Sequence, residues 1–234
     1  MTPRARDTLG LLVAALVVAG CVRLGFWQVS RLRQRRARNA VMRAGMQAPP
    51  VDLAAGVSPD SLQYRRVRAR GTFDYDHERF WRPRLMEDMP GVDLVTPLRL
   101  GDGSAVLVDR GWVPSADGYH VDQRSYREPD SASVVGLALS APRSHGDVDP
   151  RALSDSFPYR LMPFVVQQLP AGAGGHDPDF PRRWAMPELN DGPHLSYAIQ
   201  WFSFAVITVI GVIALYRRDR RERGRPLPPQ SPVH

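Results

Sequence analysis

Two long apolar runs bracket this chain. Thr8 to Val22 (TLGLLVAALVVAGCV) contains no charged residue, and after Arg23 the run resumes as Leu24-Gly25-Phe26-Trp27. Leu195 to Tyr216 is 22 consecutive uncharged, mostly apolar residues. At about 1.5 Å per residue, 20 such residues cross roughly 30 Å of hydrocarbon, so both runs predict membrane-spanning helices. Between them the pattern changes period. Residues 66 to 73 (RVRARGTF) alternate polar and apolar without a slip, which predicts a half-buried strand. Asp74 to Glu78 reads as a turn and Arg79 to Arg84 as a returning strand. Leu94 to Leu100 and Ala105 to Val113 flank Gly101-Asp102-Gly103-Ser104, the clearest hairpin in the chain. Val134 to Leu139 and Phe164 to Leu169 complete five or six strands, enough for a small barrel or sandwich that closes its own edges.

The expected fold class is therefore α+β membrane protein: two transmembrane helices flanking a mainly antiparallel β domain. The expected boundaries are a cytoplasmic N-terminus at 1–7, a first span at 8–28, an extracytoplasmic domain at 29–193, a second span at 194–216 and a basic tail at 217–234. Within the domain, 114–131 and 142–163 read as polar connections and 170–193, rich in Pro and Gly, as a linker. A short apolar stretch after arginines also describes a secretory signal, and Val18-Ala19-Gly20-Cys21 resembles a lipoprotein cleavage box that would place a lipid on Cys21. Continuation of the helix to Trp27, with Arg23 snorkelling and Trp27 at the interface, favours an uncleaved anchor.

Charge changes the picture less than its total suggests. The formal net charge is +7 with a pI near 10.3, which for a soluble protein would point to nucleic acid. However, six arginines fall between 23 and 38 and six between 217 and 225, whereas 39–216 carries 17 arginines against 21 carboxylates. The basic charge is juxtamembrane, so the expected partner is lipid headgroup and not nucleic acid. The tail arginines place both termini in the cytoplasm of a bacterial cell membrane. All 31 basic residues are arginine, which excludes lysine-dependent phosphate loops and Schiff bases. One cysteine excludes an internal disulfide.

Candidate chemistry is sparse before the second span. Asp74, Asp76, His77 and Glu78 are metal-ligand types, but with no second cluster they read as a solvated turn. Met86 and Met89 could meet Cu(I), yet read as ordinary packing. No G-x-S-x-G elbow follows a strand, and His120, His145 and His176 sit in loops without an orienting partner, so the chain is not expected to be an enzyme. The second span opens differently, as GPHLSYAIQWF from Gly192 to Phe202. At about 100° per residue, His194, Tyr197, Ala198, Trp201 and Ala205 share one stripe, and Ser196, Gln200 and Ser203 lie roughly opposite. Asp191 can cap this helix and Pro193 suits its first turn. The positive helix end keeps His194 neutral and able to donate a lone pair to iron. An imidazole flanked by aromatics suits a flat macrocycle such as haem. Aromatic interfacial anchoring explains Tyr197 and Trp201 equally well. The Ser-Gln-Ser face would pack on Gly10, Ala14 and Ala15 of the first span.

Leu24-Gly25-Phe26-Trp27-Gln28, Tyr64-Arg65-Arg66-Val67 leading to Gly71 and Phe73, Val106 to Pro114 (VLVDRGWVP), and His194-x-x-Tyr197-Ala198-x-x-Trp201-Phe202 together resemble the surfeit locus protein 1 family, in order over nearly the whole chain. That resemblance implies an assembly factor for haem-copper cytochrome c oxidase that binds haem a and assists its insertion into subunit I, with haem a synthase a further partner. The family's haem-ligating histidine falls on His194, and Trp27 and Gln28 would form the second wall of a site completed by Tyr197 and Trp201. Asp109 stands where the family more usually has Asn. A scaffold that clamps an oxidase subunit without binding haem is the alternative, as is a lipidated extracytoplasmic binding protein.

Overall fold

The computed structural model describes residues 3–53, 62–140, 146–172 and 175–223. The chain divides into two compact units, Met1–Asn39 with Asn190–His234, and Ala40–Leu189.

The first unit contains two helices, α1 (Pro3–Gln47) and the helix numbered α3 below (His194–Arg223). Both include stretches long and apolar enough to cross a membrane. Helix α1 continues far beyond Gln28, through the Arg-rich segment expected to open the β domain. Arginine is a good helix former, and no Pro or Gly interrupts residues 29 to 44. Pro49 and Pro50 stop the helix, the first by disfavouring helical backbone in the residue before it. At 45 residues α1 is about 67 Å long, roughly twice the hydrocarbon thickness, so its arginine-bearing half is not bilayer-spanning. Its last residues, from Ala40, belong to the second unit, where Met46 is buried.

That second unit is a β barrel. Its strands are β1 (Val51–Asp52), β2 (Arg66–Phe73), β3 (Arg79–Met86), β4 (Met89–Leu100), β5 (Ala105–Pro114), β6 (Ser131–Leu139) and β7 (Leu161–Gln168). They lie in the order β1-β2-β6-β7-β5-β4-β3, and β2 also pairs with β4, from Gly71↔Leu100 to Phe73↔Leu98. The sheet therefore closes as a five-stranded ring, β2-β6-β7-β5-β4, with β1 and β3 added outside it. All ring pairings are antiparallel except β5 with β7. This ring order is that of an OB-type Greek-key barrel. Closure removes the exposed edges that five short strands would otherwise present. Val67, Ala69, Leu98, Val106, Val108, Val134 and Val166 fill the lumen with Phe73 and Phe164.

Strands β4 and β5 are buried on both faces, which the alternating pattern did not foretell. The 142–163 connection supplies the reason. Its described part carries Val148, Phe157 and, within β7, Leu161, which cover Val95, Ala105, Leu107 and Val165 on the outside of the ring. The short helix α2 (Pro150–Leu153), capped by Asp149 accepting from the Arg151 N–H at 3.0 Å, shapes this cover. The described part, residues 146–163, is thus a second hydrophobic layer, not a polar connection.

The linker expected at 170–193 is likewise corrected, because residues 180 to 184 form a strap along β5. Trp112 and Arg182 exchange two backbone hydrogen bonds of 2.9 and 2.8 Å. Gly111 makes this approach possible. Its φ is +124°, and a Cβ there would lie 2.4 Å from the Arg182 carbonyl oxygen.

Arg110 is fully buried and determines much of what surrounds it. Its Nη2 donates to Glu78 Oε2 at 2.6 Å, Nη1 to Glu128 Oε2 at 2.9 Å and to the Tyr126 carbonyl at 2.8 Å, and Nε to Thr96 Oγ1 at 2.8 Å. Its guanidinium also lies over the Tyr75 ring at 5.1 Å. Arg183 of the strap joins the network by donating to Glu128 Oε1 and to the Arg110 carbonyl. Of the acidic turn at 74–78 only Asp76 is exposed: Glu78 and Tyr75 are buried, and Asp74 accepts from Tyr159 OH at 2.9 Å and bonds His77 Nδ1 at 2.9 Å.

A second buried cluster holds Asp93 and Asp109. Arg84 Nε donates to Asp93 Oδ2 at 2.6 Å, with its guanidinium 4.4 Å from the Trp81 ring centre and 4.8 Å from that of Trp184. Asp109 Oδ1 accepts from the Gly111 N–H at 3.0 Å. Burial pushes the Asp93 carboxyl up to about 6 despite Arg84, and burial together with the Asp93 charge raises Asp109 well above the usual carboxylate range. Raised acids bind protons more tightly in the folded than in the unfolded state, so stability is fullest below the unfolded value near 4 and falls as pH rises through 6.

Two predictions follow from this wall of the barrel. Asp109→Asn keeps an acceptor for the Gly111 N–H and removes a buried charge; it should raise the melting temperature at pH 8 by about 5 °C and flatten the loss of stability between pH 4 and 7, read by near-UV circular dichroism. Gly111→Ala should cost about 2–4 kcal/mol and release the strap, seen as faster proteolysis between residues 175 and 190.

Candidate functional site

The helical unit is built on two matching stripes. On α1 the residues turned inward are Ala14, Val18, Cys21, Gly25, Gln28, Leu32, Arg35 and Asn39, and on α3 they are His194, Ala198, Trp201, Ala205, Thr208 and Val212. Both sets alternate spacings of four and three, the 3.5-residue repeat of helices that supercoil left-handedly about each other. The pair is antiparallel, since Gln28 meets His194 while Gly25 meets Phe202. Small residues set the approach. A Cβ on Gly25 would sit 2.6 Å from the Phe202 ring, and Ala198 and Ala205 are nearly fully buried. Phe26 closes the same level with an edge-on contact to Phe202 at 5.4 Å.

This arrangement exchanges the two faces expected from the sequence. The stripe of His194, Ala198, Trp201 and Ala205 faces α1, whereas Ser196, Gln200 and Ser203 are exposed. Gly10 and Ala15 are exposed too, and only Ala14 of the expected trio is partly covered. The space left by Ala198 and Ala205 is filled by a neighbouring helix. Ser196 is satisfied locally by donating to the Pro193 carbonyl at 2.8 Å.

The structure brings His194 and Gln28 together: His194 Nδ1 lies 2.9 Å from Gln28 Oε1, and Gln28 is buried. Trp27 and Tyr197 are each about half exposed. One residue before Gln28 and three after His194, in helices that run in opposite directions, both turn to the same flank of the pair. The Arg31 guanidinium covers the Trp27 ring at 5.5 Å on that flank. Trp201 is not part of that wall; it packs within the stripe and meets Phe204 edge-on at 6.0 Å.

A polar clasp holds the start of α3. Arg35 Nε donates to the Asn190 carbonyl at 3.1 Å and Asn39 Nδ2 to the same carbonyl at 2.9 Å. Arg36 Nε pairs with Asp191 Oδ2 at 2.8 Å. Asp191, expected only as a helix cap, thus ties α3 to α1, and two arginines expected at lipid headgroups have protein partners. The sequence signal for this was faint: Asn39 is a polar residue at an inward heptad position, visible only once α1 is known to run that far.

The remaining candidates lie elsewhere. No group of three or more His, Cys, Asp or Glu side chains is arranged to hold a metal among the described residues. His120 does have a partner, with Nδ1 2.5 Å from Asp117 Oδ2, but on the exposed surface. His176 is exposed, and His145 lies outside the described residues. Met86 is buried beside Arg182, while Met89 is about half exposed. Cys21 is buried in the helix stripe.

Comparison with known proteins finds relatives over nearly the whole chain. An uncharacterised SURF1-like protein of Mycobacterium tuberculosis is 29% identical over 249 aligned positions, covering 96% of this chain and 91% of that protein. A SURF1-like protein of Rickettsia bellii is 26% identical, covering 87% and 88%. Surfeit locus protein 1 of Mus musculus is 33% identical over a shorter stretch, 42% of this chain and 38% of its own. The SURF1 family matches residues 15–206, from within the first apolar run to within the second. This chain belongs to the SURF1 family.

Proposed function

We propose that this protein is a membrane-anchored, non-enzymatic assembly factor for haem-copper cytochrome c oxidase, and that it holds haem a for insertion into subunit I. Family membership supports the assembly role, and the His194–Gln28 pair carries the haem reading. The donor set fits: an imidazole whose Nδ1 is engaged, beside two half-exposed aromatic rings on one flank. Bound haem would supply an iron that accepts a nitrogen ligand. His194 offers that nitrogen, and Trp27 and Tyr197 offer apolar walls. Gln28 serves His194, and Trp201 serves helix packing. Arg31, over Trp27, provides a cation at the level where carboxylates of an amphiphilic ligand would lie.

A single protein ligand with aromatic packing is suited to release, because delivery requires the acceptor to bind the cargo more tightly. Two candidate spans support a reading with both termini on one side of a bacterial cell membrane. The arginines at 217 to 225 favour the cytoplasm for that side and the opposite side for the barrel. There the barrel is available to subunit I and to haem a synthase.

The test compares protein purified from cells that make haem a with its His194→Ala variant. Haem content, read by the pyridine haemochrome spectrum, should fall at least about tenfold. Unchanged content in a folded variant removes His194 from the site and leaves a clamp on an oxidase subunit as the better reading.

A further inference from the structure

We propose that Gln28 is a positioning residue that fixes the tautomer of His194, holding the proton on Nδ1 and turning the Nε2 lone pair outward as the ligating atom. This rests on the reading of His194 as haem ligand, and adds which nitrogen ligates and what selects it.

A neutral imidazole carries one donor and one acceptor nitrogen, and the bond made by one decides the role of the other. Here Nδ1 faces an amide oxygen at 2.9 Å. An amide oxygen only accepts, so Nδ1 must carry the proton, and Nε2 is left with its lone pair. Histidine free in water favours the opposite tautomer, with the proton on Nε2, which cannot ligate through that atom. Gln28 therefore reverses an intrinsic preference in favour of the ligating form. Carboxylates and carbonyls orient metal-bound histidines in the same way.

Three features show that the pair is held and not a chance meeting of two polar side chains. Gln28 is 9% exposed, on the stripe one turn from Gly25, where its amide has little water to turn to. The bare Gly25 backbone admits Phe202 and fixes the approach of the helices on one side. On the other side, Arg35, Arg36 and Asn39 fasten residues 190 and 191, immediately before α3. His194 lies between these two anchors, so its ring is set in register with residue 28. Arg31, the charged side chain nearest in sequence on that flank, is engaged over Trp27 and does not compete for Nδ1.

The experiment uses full-length protein in lipid nanodiscs, labelled with 15N at histidine, with His194→Ala to assign the signal. In the metal-free wild type at pH 8, the His194 ring shifts should report Nδ1–H. In Gln28→Leu they should report mainly Nε2–H, and haem a affinity by Soret titration should fall 10–100-fold. Gln28→Glu, which keeps an acceptor, should restore both. A Gln28→Leu protein that keeps Nδ1–H, or wild-type affinity, overturns the proposal. So does a loss of helix-pair stability with neither readout moved, the result expected if Gln28 were only interhelical glue. The parent reading fails separately, if His194→Ala binds haem a as tightly as wild type whatever the tautomer of the metal-free protein.

Discussion

A guanidinium with no exposure to solvent has to be neutralised where it stands, and Arg110 imposes that requirement on the whole barrel. Leaving such a charge unpaired in a low-dielectric interior costs about 3–5 kcal/mol, a large fraction of the stability of a domain. Glu78 is drawn in from the β2–β3 turn, Glu128 from the segment before β6, and Thr96 from β4. Glu128 then needs a second cation for its other oxygen, which is Arg183. One buried charge thus recruits residues as far as 73 positions from it along the chain, and the residues beside it in β5 serve the same arrangement. Arg110 carries the charge, Gly111 lets the strap approach, Trp112 bonds its backbone, and the carboxyl of Asp109 accepts from the Gly111 N–H.

The helical unit obeys a different constraint. In lipid there is little hydrophobic drive for helices to meet, so contact depends on close packing and on satisfying buried polar groups. Gly25, Ala198 and Ala205 provide the first, and Gln28, His194, Asn39 and the 190–191 turn the second. The polar groups concentrate at one end of the stripe, where α3 begins. A site placed there combines a ligand held by protein contacts with open flanks through which cargo can pass.

Much of this was legible in the residues and some was not, for identifiable reasons. The six principal strands and both apolar spans follow from period and turn chemistry, because β hairpins and spanning helices are specified by local pattern. Closure of the ring was left open between barrel and sandwich, since it depends on the β2–β4 pairing, a long-range contact that no local pattern encodes. The segments taken for loops failed for another reason: Val148, Phe157 and Arg183 are isolated among polar and Pro-rich neighbours, and nothing periodic marks them as buried. At the site, His194 and Gln28 were both named, but His194 as the ligand and Gln28 as part of a facing wall, not as hydrogen-bond partners. The 100° projection identified the stripe correctly and could not say which stripe the partner helix would occupy. Small residues were taken as room for a macrocycle, and a helix fills that room.

The proposal that one histidine nitrogen of this chain, Nε2 of His194, ligates the haem iron is tested most directly by pulsed electron paramagnetic resonance on the ferric haem-loaded protein with 15N confined to histidine. A strong coupling from one 15N nucleus is expected, retained when His77, His120 and His176 are replaced together and lost in His194→Ala. A coupling that survives His194→Ala, or no histidine coupling in the wild type, would contradict it.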